Sequence, residues 1–164
     1  MLKPPRRPDE RLLNWKVLIR AYLFLGPVEA VAGLYGYFYV LNSGGWQWGE
    51  VLPSGNILYL KATTACLAGI IVTQIANVFV CRSESVPVLR LGLFTNRLIL
   101  VAVTLEILLA FVFIYTPPGN FFFKTAPLPI SIWLRLIPFA MLLFIMDETR
   151  KILKEKIIPL SPQH

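Results

Sequence analysis

Of the 164 residues, 56% are hydrophobic and only 15% charged, and the mean hydropathy is +0.64. Soluble domains carry about 45–50% apolar and roughly 25% charged residues, so composition argues against a water-soluble fold. The net charge of +7 comes from 16 Lys+Arg against 9 Asp+Glu; with two cysteines lacking a C-x-x-C spacing and a single histidine, His164, neither a zinc site, a disulfide scaffold nor a nucleic-acid module fits.

The chain opens on K-P-P-R-R-P-D-E at Lys3 to Glu10, an extended, solvated leader, because three prolines cannot continue a helix. The apolar run that follows is too long for a signal peptide, whose core spans about 7–15 residues. A bilayer core of about 30 Å needs around 20 apolar helical residues, and four such runs occur, at about 17–41, 62–80, 98–115 and 130–146. Turn-rich stretches separate them: 42–61, 81–97 and 116–129. The expected organisation is a leader over 1–16, a four-helix transmembrane domain over 17–147 and a basic tail over 148–164.

Positive charge sets the expected orientation, since short cytoplasmic loops are enriched in Lys and Arg. Thirteen of the sixteen cations lie in the leader and first entry, the 81–97 connector and the tail, while Lys61 and Lys124 flank the other side. Both termini are therefore expected in the cytoplasm. Trp46, Trp48, Tyr59, Tyr115, Phe121 to Phe123 and Trp133 cluster around the two opposite loops, where amphipathic rings favour the headgroup level. The fold class read from this pattern is all-α, an integral membrane bundle of four spans.

Ionisable groups inside the spans are the candidates for function, because each costs about 2.5–3.5 kcal/mol at the bilayer centre on insertion scales. Glu29 lies midway in the first span and Glu106 in the third. Gln74 and Asn77, at i and i+3 in the second, share one helical face. Carboxylate and amide oxygens are the ligands a hard cation takes when it sheds water. The alternatives are interhelical hydrogen bonds for the two amides and a protonated carboxyl for Glu29. Arg135, five residues into the last span, is expected to snorkel to the interface or to pair with Glu29 or Glu106. Gly26, Ala30, Gly33 and Gly36 face the task of close packing, as do Ala65, Ala68, Gly69 and Ala76, and Pro27 and Pro138 are candidate kinks. Asp147 and Glu148, just before the basic 150–156 segment, read as a charged membrane exit.

Four strings in order carry a family resemblance: M-L-K-P-P-R-R-P-D-E-R-L-L-N at Met1 to Asn14, A-T-T-A-C-L-A-G-I-I-V-T-Q-I-A-N-V-F-V-C-R-S at Ala62 to Ser83, T-N-R at Thr95 to Arg97, and F-I-M-D-E-T-R-K at Phe144 to Lys151. Together they make the chain resemble the C-terminal membrane domain, the last four helices, of cation-transporting P-type ATPases. The resemblance implies that Gln74, Asn77 and Glu106 stand at peripheral cation-binding positions, and it assigns no ligand role to Glu29. The family's D-K-T-G-T and T-G-E-S motifs and its nucleotide-binding domain are missing from the sequence, so ATP and Mg2+ are expected only in a complete pump, and the chain alone is not expected to be an enzyme. Expected partners are the lipid bilayer, the N-terminal remainder of a P-type ATPase or an intact pump, and a transported cation such as calcium or sodium; nucleic acid is not among them. A small protein that regulates or assembles with a pump, and an oligomeric ion or proton channel, are the competing readings.

Overall fold

The computed structural model describes residues 19–83, 86–92 and 94–157. The predicted leader over 1–16 lies outside them. Among the described residues there is no strand, and four helices are long and apolar enough to cross a membrane: Tyr22–Ser43, Ile57–Val80, Arg97–Tyr115 and Ile130–Leu153.

The first crossing begins as a π-helical turn, Arg20–Leu25, and becomes the regular helix α1 over Gly26–Ser43. Pro27 explains the change of pitch. Its ring lacks an N–H and crowds the carbonyl four residues back, which loosens the preceding turn. After α1, α2 runs over Ile57–Val80, with the Asn56 side chain accepting the Leu58 amide at 2.8 Å as its N-cap. A single helical turn, α3 (Val88–Leu91), interrupts the next connector, and α4 follows over Arg97–Tyr115, capped by Asn96. Thr116 caps the short α5 (Pro117–Phe123), whose two leading prolines suit a helix start. The last helix, α6, spans Ile130–Ile157 with Pro138 inside it, and so continues well past the apolar run that ends near 146.

α2 is the centre of the bundle. It packs against α1 and α6 over most of its length and more lightly against α4. Burial follows this order: 39% of the α2 window is buried, but only 17% of the α4 window. The α1–α2 seam is a backbone contact. A Cβ on Gly36 would lie 2.6 Å from the Ala65 carbonyl oxygen, and one on Gly69 would lie 2.7 Å from that of Ala32, so only glycine permits this approach. Apolar side chains fill two cores. Val40, Leu41, Ala62, Ala65, Ala68, Ile114, Leu128, Ile132 and Leu136 form the larger, and Leu25, Val80 and Leu143 close the opposite end.

Polar ties secure the end where α2 begins. Tyr115 Oη donates to the Leu128 carbonyl at 2.8 Å and accepts from Trp133 Nε1 at 2.8 Å, while the Ala126 amide donates to the buried Thr64 hydroxyl at 2.9 Å. These bonds lash the α5–α6 connector to α2 and to the end of α4, satisfying backbone groups that lipid could not.

Candidate functional site

The intramembrane polar residues come from four helices. On α2, Thr73 is fully buried and its hydroxyl donates back to the Gly69 and Ile70 carbonyls, both at 2.9 Å, whereas the next residue, Gln74, is exposed. Asn77 is half-buried, and its Oδ1 accepts from Cys81 Sγ at 3.1 Å. That amide is thus engaged within its own last turn. Among the described residues, no hydrogen bond joins Gln74 or Asn77 to Glu106.

Glu106 is half-buried on α4, and Glu29 is half-buried on α1. Glu29 Oε1 is shielded and has no hydrogen-bond partner among the described residues. No hydrogen bond among the described residues joins Glu29 to Glu106.

Arg135 is exposed, with its guanidinium carbon 4.6 Å from the centroid of the Tyr39 ring. Tyr39 stacks in turn on Tyr35, and Tyr35 meets Phe139. Among the described residues no ion pair joins Arg135 to Glu29 or Glu106; the aromatic face takes that place. Among the described residues, too, no group of three or more His, Cys, Asp or Glu is placed to hold a metal ion.

A second polar centre lies at the opposite end of the bundle. Asp147, Glu148 and Lys151 are 0%, 6% and 0% exposed. Lys151 Nζ donates to the Val80 carbonyl at 2.9 Å, pairs with Asp147 Oδ2 at 2.8 Å and lies 3.6 Å from Glu148 Oε1. Glu148 Oε1 accepts the Val88 amide at 2.8 Å. The expected charged exit is therefore a buried latch joining α6 to the end of α2 and the start of α3. The spacing i, i+3 and i, i+4 places all three side chains on one face, and an ammonium suits the negative end of the α2 dipole. Nearby, the Arg82 guanidinium donates to the Gly92 carbonyl at 2.7 Å and to Thr95 Oγ1 at 2.9 Å, folding the connector on itself. The sequence signal for this centre was present in D-E-T-R-K, but charged residues at a span end ordinarily face water.

Four apolar helices packed into one bundle, with carboxyls and amides held within them, define a multi-pass α-helical membrane protein. The chain belongs to the family of cation-transporting ATPase C-termini, whose model matches residues 1–153. It is 32% identical over 154 residues to a probable cation-transporting ATPase F of Mycobacterium bovis, covering 93% of this chain and 16% of that protein. It is 25% identical over 175 residues to potassium-transporting ATPase alpha chain 1 of Xenopus laevis, and 26% identical over 178 residues to the human sodium/potassium-transporting ATPase subunit alpha-4. These matches cover 92% and 93% of this chain, but in each case the chain spans only 17% of the relative's length.

Proposed function

We propose that the chain serves as the C-terminal membrane region of an ATP-driven cation pump, bracing the transport helices and lending Gln74, Asn77 and Glu106 as peripheral cation contacts. The observation that carries this reading is the set of polar groups held inside apolar helices of a chain that the family model matches over 1–153. Such groups are costly in lipid unless a partner helix, a cation or a proton meets them. Exposed Gln74 is the clearest case, since an uncovered amide facing acyl chains has no hydrogen-bond partner. In this reading ATP and Mg2+ act in an N-terminal portion, no D-K-T-G-T aspartate being among these 164 residues. Both ends of the chain, with the latch and the connector after α2, face the cytoplasm with that portion.

The test is co-expression with the N-terminal portion of a cation-transporting ATPase. Cation-stimulated ATP hydrolysis is expected from the assembly and not from the chain alone. A chain that conducts ions through liposomes without ATP, or that never co-purifies with such a portion, would overturn the proposal.

A further inference from the structure

A groove of about 840 Å³ opens at the end of the bundle where α2 begins, between the first turns of α2 and the α5–α6 connector. Its apolar walls include Leu60, Phe121 and Phe123, and its polar groups include Asn120 and Lys124. No carboxylate lines it. Lys124 is exposed, its ammonium 5.2 Å from the centroid of the Phe121 ring. Asn120 Oδ1 accepts from Thr125 Oγ1 at 3.1 Å, which leaves the amide nitrogen as a donor. The volume falls in the range of about 300–1,000 Å³ typical of small-molecule sites.

Position and charge together identify the occupant. The groove reaches from Ile57 to Thr63 on α2, about 9 Å along the helix axis at 1.5 Å per residue. That depth runs from headgroup level into the upper acyl region, whereas a transmembrane helix would need a cleft several times longer. A cation and an amide donor at an apolar slot, without an acid, complement a molecule with one anionic group and a hydrocarbon tail. We propose that the groove seats one phospholipid of the adjacent leaflet, with its phosphodiester at Lys124 and Asn120 and an acyl chain along Leu60, Phe121 and Phe123.

The whole chain, purified in mild detergent, should retain one phosphatidylglycerol in native mass spectrometry. Retention of a diacylglycerol with the same chains should be at least about tenfold weaker, because it lacks the phosphate. Lys124→Glu should reduce phosphatidylglycerol retention to that lower level. Gly55→Trp should block both lipids by filling the mouth; a Cβ at Gly55 meets open space, so the substitution leaves the backbone undisturbed. A photoactivatable phosphatidylglycerol gives a reading on the unaltered chain, with cross-links expected at 57–63 and 120–127. Equal retention of both lipids, indifference to Lys124→Glu, cross-links confined to other segments, or a polypeptide captured from position 121 in place of lipid would each overturn the proposal.

Discussion

Lys151 has no exposed surface, and its Nζ meets two acids of its own helix and a carbonyl of another. Removing one member of a buried pair leaves the others desolvated and uncompensated, at a cost of about 3–5 kcal/mol. Lys151→Met is therefore expected to destabilise the bundle by about that amount, read as a shift in detergent unfolding. Arg150 is a useful contrast. It pairs with the same Asp147 at 2.8 Å, but its side chain is 30% exposed, so Arg150→Ala should cost less than about 1 kcal/mol. An equal loss from both substitutions would show that burial is not what gives the latch its strength. Glu29 presents the opposite case: its shielded Oε1 has no hydrogen-bond partner among the described residues, so Glu29→Gln should be neutral or stabilise the chain by about 1 kcal/mol. In an assembled pump, Glu106→Gln and not Glu29→Gln should lower cation affinity, if Glu106 alone meets the ion. Equal losses from both would place Glu29 as well as Glu106 on the cation path.

At the level of elements, the α1–α2 seam is the least tolerant contact. Gly69→Ala drives a methyl against the Ala32 carbonyl and should cost about 1–3 kcal/mol through forced separation of the helices, measurable by the same unfolding assay. Gly55→Ala, in open space, should stay within about 0.5 kcal/mol. The four spans were legible because apolar length is a strong signal that packing rarely overrides. The short helices α3 and α5 were not, since the prolines that open them, Pro87 and Pro117, also mark turns, and the connectors were read as loops throughout. The α6 extension to Ile157 was hidden for a related reason: hydropathy falls at Asp147, yet a buried charged face keeps the helix packed beyond it. The candidate site was legible by residue type and not by grouping. Glu29, Glu106 and Arg135 could each be singled out as polar groups in apolar spans, but that Arg135 turns to Tyr39 rather than to an acid depends on helix rotation.

For the molecule as a whole, four crossings place the latch and the connector after α2 at one end and the loops around Trp48 and Lys124 at the other. Two cysteines make this arrangement testable almost without alteration. Cys81 is exposed at the end of α2, whereas Cys66 is half-buried within the span, its sulfur 3.1 Å from where a Cβ on Gly33 would lie. A membrane-impermeant maleimide applied to sealed vesicles should modify Cys81 from the side that carries the excess of Lys and Arg, and should leave Cys66 untouched while the bundle is folded. In a Cys81→Ala background, Ser54→Cys should react only from the other side, because Ser54 sits in the exposed loop before α2. Reaction of both positions from one face would mean that α2 does not cross the bilayer. The proposed headgroup level of the groove and the proposed cytoplasmic position of the latch would then fail together, since both rest on α2 as a membrane span.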